Sequence, residues 1–234
     1  MKLLNPGHSY LGLRRAQASA PCVFETLSWS VPTMSAPERL HSVCVFCGSS
    51  DAADPAYLAA AADLGRALAA AKIRLVYGGG GVGLMGATAR AAHDAGGAVL
   101  GVIPEFLVGA ERALETVEHL VVRSMHERKS IMFEQSDGFV VLPGGIGTLE
   151  EIVELLSWRR LHLHEKPVVF YNPGGFWRPL FDLFQHTVDA KLTPASFMDA
   201  WISVERVEDI VPALLGVAPE PMPPSEEAAV LKIS

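Results

Sequence analysis

The chain has little of several things that would settle its class early. Only three cysteines occur among 234 residues, so neither a disulfide framework nor a zinc site built from four cysteines is available. Of these, Cys44 and Cys47 form a C-x-x-C, the spacing of a redox pair. The surrounding residues read as a buried strand, and positions three apart on a strand face opposite sides, so the pair is expected to diverge. No metal site is expected. Lys and Arg total 19 against 26 Asp and Glu, giving a formal charge of -7. With no Lys/Arg-rich run, the chain lacks the extended electrostatic footprint of a nucleic-acid or anionic-membrane surface, which leaves room for a local basic pocket. Gly, Arg or Asp interrupts every apolar run before bilayer length, which excludes a spanning helix.

What is present is apolar content, at 50% of residues, enough for one sizeable domain with its own core. The first 37 residues read as a flexible extension. They carry Lys2, Arg14 and Arg15, no acid before Glu25, and no sustained period. A transit peptide, an unfolded tail and sequence upstream of a start at Met34 all fit, and the last two are favoured. Residues 217–234 are Pro- and Glu-rich and read as a second flexible tail. A folded domain is expected over 38–216, in a reducing, cytoplasmic compartment.

Within that span strands and helices alternate. Strands are expected at Ser42 to Phe46, Ile73 to Tyr77, Ala98 to Ile103, His119 to Val122, Gly138 to Leu142, Lys166 to Tyr171 and Ile202 to Val204. Helices are expected at Pro55 to Ala71, Leu84 to Asp94, Met125 to Ser136, Leu149 to His162, Phe176 to Asp189 and Val207 to Leu215. Asp54 is a natural N-cap before Pro55, and Gly96-Gly97 a natural C-cap. Apolar strands alternating with helices of this length predict an α/β fold, a single Rossmann-like doubly wound parallel sheet with helices on both faces. Ligands of such sheets bind beyond the carboxyl ends of the strands.

Three loops belong at those ends. The first is Cys47-Gly48-Ser49-Ser50. In the second, Gly81, Gly83 and Gly86 satisfy G-x-G-x-x-G between strand and helix. The strand that ought to end in a ribose-binding acid ends instead in Ile103-Pro104, which disfavours a nicotinamide dinucleotide. The third, Pro143-Gly144-Gly145-Ile146-Gly147-Thr148-Leu149-Glu150-Glu151, leads from a strand into a helix N-terminus, where unpaired N–H groups and the helix dipole favour a phosphate. Glu150 and Glu151 are read as first-turn acids, one of which must turn away from the anion. Upstream, Arg128 and Lys129 open a helix, where the dipole disfavours cations. An anion is therefore expected to offset them: a phosphate, or Glu151 for the planar fork of Arg128. A solvated pairing with Glu127 or Glu134 is the plainer reading.

Together, Phe46-Cys47-Gly48-Ser49-Ser50, Gly78-Gly79-Gly80 with Gly83-Leu84-Met85-Gly86, Met125-His126-Glu127-Arg128-Lys129 and the P-G-G-x-G-T-x-x-E of Pro143 to Glu151 resemble the Lonely Guy family. Those proteins are cytokinin riboside 5'-monophosphate phosphoribohydrolases, long misnamed lysine decarboxylases. The resemblance runs from about His41 to Leu215. It implies cleavage of the N-glycosidic bond of adenosine 5'-monophosphate or an N6-substituted relative, without a cofactor. It makes Glu151 and Arg128 the catalytic residues and Gly144, Gly145, Ile146, Gly147, Thr148, Leu149 and Glu150 the phosphate-holding loop. Ser49, Glu111, Lys129 and Ser157 would line the nucleotide, and the protein would be at least a homodimer. One departure is the basic run Trp158-Arg159-Arg160-Leu161-His162-Leu163-His164, which bears on the N6 pocket or the subunit contact. Two other classes remain: a non-catalytic nucleotide or molybdenum-cofactor carrier on the same sheet, and a pyridoxal-phosphate decarboxylase, for which Lys129 is the one lysine near the phosphate loop.

Overall fold

A computed structural model describes residues 40–216. The expected extensions 1–37 and 217–234 lie outside these residues. Seven parallel strands form one sheet: β1 (Ser42–Phe46), β2 (Arg74–Tyr77), β3 (Val99–Pro104), β4 (Glu118–Val122), β5 (Gly138–Val141), β6 (Val168–Tyr171) and β7 (Ile202–Val204). Their order is β4-β3-β2-β1-β5-β6-β7. The chain winds outward from β1 to β4, then returns to place β5 on the other side of β1. That reversal opens a crevice between β1 and β5, the position where ligands of doubly wound sheets bind.

Six α-helices cover the two faces: α1 (Pro55–Ala70), α2 (Gly83–Asp94), α3 (Met125–Glu134), α4 (Ile146–Arg160), α5 (Arg178–Asp189) and α6 (Ile210–Leu214). Because strand side chains alternate, the buried sheet feeds two separate cores. Val43, Val45, Leu75 and Val140 pack with Leu64, Leu68, Leu84 and Ile210 from α1, α2 and α6. Cys44, Val76, Phe139 and Val141 pack with Met132, Ile152 and Leu156 from α3 and α4, and α5 lays Phe181 and Phe184 against the same core. Cys44 and Cys47 fall into opposite cores, and burial pushes both thiols above their ordinary range. The C-x-x-C is therefore packing.

The expected caps form. The Asp54 carboxylate accepts from Ala56 N at 2.8 Å, and Gly96, at φ +77°, closes α2 with its N–H on His93 O. Ser124 caps α3 by accepting from Glu127 N at 3.1 Å.

Two helix starts differ from expectation by three residues. Helix α4 begins at Ile146, with Gly145 as its extended N-cap, because glycines that weaken helix propensity do not forbid a first turn. The closing helix is confined to Ile210–Leu214 after a 3-10 turn at Val207–Asp209, since Pro212 is tolerated only in a first turn. Strands β3 and β4 are neighbours joined by residues 105–117 without an α-helix; only a 3-10 turn, Glu105–Leu107, forms there.

Helices α1 and α2 approach closely at Gly65, where a methyl group would overlap Thr88 O and meet Ala92 N at 2.9 Å. These are backbone atoms, so the helices themselves must separate. Gly65→Ala is expected to destabilise the domain by about 1–3 kcal/mol, read as a lower urea midpoint with unchanged slope. An unaltered midpoint would show that the helices are not held this close.

Candidate functional site

At the switch between β1 and β5 the backbone closes on itself. Gly48 N donates to Pro143 O at 3.1 Å, joining the first loop to the third. The third loop turns tightly over its own helix: a methyl group on Gly144 would collide with Thr148 Oγ1, so only glycine fits. Leu149 N donates to Gly145 O, which leaves the N–H groups of Ile146, Gly147 and Thr148, the first turn of α4, without an intrahelical acceptor. Gly145, Ile146 and Gly147 are exposed while Thr148 is buried. The result is a fixed, solvent-facing helix N-terminus suited to an anion.

The second glycine loop is different. Gly83, at φ +56°, lies so close to Ser49 and Ser50 that a methyl group would meet Ser49 C at 2.5 Å. Its N–H donates to Asp51 Oδ1 at 2.9 Å, and Leu84 N donates to Gly48 O at 3.0 Å. The first two N–H groups of α2 are thus engaged by the protein itself. The G-x-G-x-x-G there serves backbone packing, and a dinucleotide pyrophosphate has no place on it.

Because α4 starts three residues earlier than expected, Glu150 and Glu151 stand in its second turn rather than its first. Helix-dipole placement, which fades beyond the first turn, does not account for Glu151. Successive residues on a helix diverge by about 100°, and the two acids separate as expected. Glu150 points outward, its side chain 52% exposed, and pairs with Lys129 Nζ at 2.5 Å. Glu151 points inward and is 11% exposed, with Oε1 at 3.6 Å from Arg128 Nη1. Burial pushes the Glu151 carboxyl up to about 7, with Arg128 opposing. It therefore changes charge near neutrality.

Arg128 is itself buried. Its Nε donates to Val102 O and its Nη2 to Gly78 O, both at 3.1 Å. The guanidinium thus bridges the carboxyl ends of β3 and β2 and presents Nη1 to Glu151. The plainer reading, a solvated pair with Glu127 or Glu134, does not hold: Glu127 instead accepts from Arg123 N at 2.8 Å.

Lys129 lies between Glu150 and Glu154, the latter at 2.7 Å. Burial lowers its pKa, but the hydrogen bonds to the two acids outweigh that and leave it raised. Its charge is thus offset within the protein, which corrects the expectation of a phosphate as its partner. The Glu111 side chain reaches Gly80, where a methyl group would meet Oε2 at 2.5 Å; that oxygen is buried without a hydrogen-bond partner among the described residues. Ser49 is exposed on the first loop. Ser157 is not brought to this cluster: it lies on the outer face of α4, donating to Val153 O at 2.7 Å. In the basic run, Arg159 donates to Lys166 O at 2.6 Å and His164 Nε2 is bonded to Leu155 O, while Trp158 shares the lining of a small cavity with Glu151.

Sequence reasoning missed Asp51, which joins Gly83 N and the Arg112 guanidinium. Its position one residue past Ser49-Ser50 was the available signal. Among the described residues, no group of three or more His, Cys, Asp or Glu residues is arranged to hold a metal, and no helix is long and apolar enough to cross a membrane.

Similarity to known proteins agrees with this geometry. The family described as "Possible lysine decarboxylase" matches residues 85–214. The probable cytokinin riboside 5'-monophosphate phosphoribohydrolase LOGL9 of Oryza sativa subsp. japonica is 46% identical over 182 residues, covering 74% of this chain and 80% of that protein. The cytokinin riboside 5'-monophosphate phosphoribohydrolase LOG5 of Arabidopsis thaliana is 42% identical over 182 residues, covering 77% and 80%. Among solved structures, the molybdenum cofactor binding protein of Rippkaea orientalis superposes with a TM-score of 0.58 at 23% identity, covering 76% of this chain and 98% of that one, a likeness of fold alone. With relatives above 40% identity across most of its length and the glycine loop, arginine and buried glutamate in one crevice, the chain belongs to the Lonely Guy family of cytokinin riboside 5'-monophosphate phosphoribohydrolases.

Proposed function

We propose that the protein hydrolyses the N-glycosidic bond of adenosine 5'-monophosphate, plain or N6-substituted, releasing the free base and ribose 5-phosphate. The observation that carries this is the buried Glu151 carboxyl, set against Arg128 one helical turn beyond an open phosphate site. The 5'-phosphate would sit on the N–H groups of Ile146, Gly147 and Thr148. That places the sugar over the second turn of α4, where Glu151 faces inward. Breaking the bond from the anomeric carbon to the base leaves oxocarbenium character on the ribose, which an ionised Glu151 stabilises while it takes a proton from the attacking water. The water oxygen bonds to the anomeric carbon, and the bonding pair leaves with the base nitrogen. Arg128 cannot give up a proton and is fixed by two carbonyls; its part is to orient Glu151 and to relieve negative charge on the departing base. Glu111 offers an unpartnered oxygen to a ribose hydroxyl.

The decarboxylase reading finds no suitable lysine among the described residues. A Schiff-base lysine must shed its proton, yet Lys129 is held protonated between two acids. Lys166, whose pKa burial does lower, sits beside the N-terminal end of β6 with Nζ on Phe133 O, at the far end of the sheet. A carrier on this sheet would have no use for the buried Arg128–Glu151 pair.

Three outcomes are expected. Incubation with AMP or isopentenyladenosine monophosphate should release base from the wild type, and Glu151→Ala should slow this by roughly 10²-fold or more; equal turnover would remove Glu151 from the mechanism.

The second concerns pH. An ionised base is required, so kcat/KM should rise with pH through about 7. Stability should move the other way. Between the ordinary 4.5 and about 7 the folded state keeps a proton that the unfolded chain has released, so unfolding free energy falls across that window, by on the order of 3 kcal/mol in full. Relative to wild type, Glu151→Gln should therefore gain thermal stability at pH 8 over pH 5, and a pH-independent difference would contradict the raised pKa.

Third, the protein should be a homodimer joined beside the site. Ile146 and Val153, seven residues apart on one side of α4, are 84% and 44% exposed, an apolar stripe next to the phosphate loop. Light scattering should find a dimer that Val153→Arg dissociates. A wild-type monomer would refute this contact.

A further inference from the structure

Glu111 stands in the one connection between neighbouring strands, residues 105–117, that has no α-helix to hold it. Its carboxylate is nevertheless fixed against Gly80 with one buried, unpartnered oxygen. The fixing comes from the next residue. Arg112 adopts φ +48°, a left-handed conformation unfavourable for a side chain larger than glycine, which persists only where surroundings hold it. Two contacts hold it here. Gly81 N donates to both Glu111 O, at 2.9 Å, and Arg112 O, at 3.0 Å. The Arg112 guanidinium pairs with Asp51 Oδ2, while Asp51 Oδ1 accepts from Gly83 N at 2.9 Å. The Gly83 N–H, then Arg112, hold the Asp51 carboxyl below the usual carboxylate range. Asp51 thus connects the loop after β1, the glycine loop and the strand connection.

We infer that the Asp51–Arg112 ion pair is a positioning latch that holds the Glu111 carboxylate in the nucleotide site. The Arg112 and Asp51 side chains are 67% and 62% exposed, and an exposed pair adds little to global stability. What it decides is local. Without it, only the Gly81 N–H holds Arg112 in its left-handed conformation, and the adjacent Glu111 loosens with it. Asp51 and Arg112 touch no substrate in this account; they act through Glu111. The inference rests on the proposed nucleotide site but not on hydrolysis.

The test is a double-mutant cycle in AMP affinity, measured by calorimetry with the full chain in a Glu151→Gln background so that AMP is not consumed. Arg112→Gln should weaken AMP binding about three- to fivefold with an unchanged thermal midpoint, and Asp51→Asn should do the same. With Glu111→Gln also present, Arg112→Gln should change affinity by less than about 1.5-fold, because the group it positions no longer contributes. A purely structural role would give the same factor in both backgrounds, and that result, or unchanged affinity on replacing Arg112 while Glu111 is intact, overturns the latch. So does the absence of AMP binding in every variant. Failure of wild type to release base, with AMP still bound, would count against the hydrolase reading and leave the latch standing.

Discussion

A buried guanidinium cannot remain unpaired, and in this fold Arg128 is the group around which the site is arranged. Three of its nitrogens reach three separate elements: Val102 O in the carboxyl-terminal half of β3, Gly78 O just past β2, and the Glu151 carboxylate on α4. Since Arg128 belongs to α3, one side chain ties two strand ends and two helices to a common point. A lysine could not do this, because the planar fork fixes the directions of all its donors. The same desolvation that obliges Arg128 to find partners raises the pKa of Glu151, and the two charges oppose each other's cost without cancelling it.

Two strand-to-helix glycine loops flank this point, and they have opposite fates. At α2 the first N–H groups are taken by Asp51 and Gly48, so the glycines there bring backbone against backbone. At α4 the first turn remains open to solvent. The difference lies in the neighbouring loop: the chain after β1 folds over α2 and leaves α4 uncovered.

The charges around α4 follow a similar division. Glu150 and Glu154 pair with Lys129, which neutralises the cation that flanks the site beside the Glu151–Arg128 pair. The basic run after Trp158 turns back onto β6 through Arg159 and into the core through His164. Extra positive charge in the sequence is thus not extra positive charge in the site.

The alternation of strands and helices, the divergence of Cys44 from Cys47, the caps at Asp54 and Gly96, and the opposed directions of Glu150 and Glu151 were all legible in the chain, because each follows from local periodicity or from the chemistry of one residue. Tertiary structure alone decided which glycine loop stays open, since that depends on Asp51 and Gly48 arriving from another strand. It also decided that α4 begins at Ile146 and so removes the helix dipole as the reason for Glu151. The pairing of Lys129 with Glu150 and the hold of Asp51 on Arg112 span 21 and 61 positions in sequence, and no local pattern encodes contacts at that range.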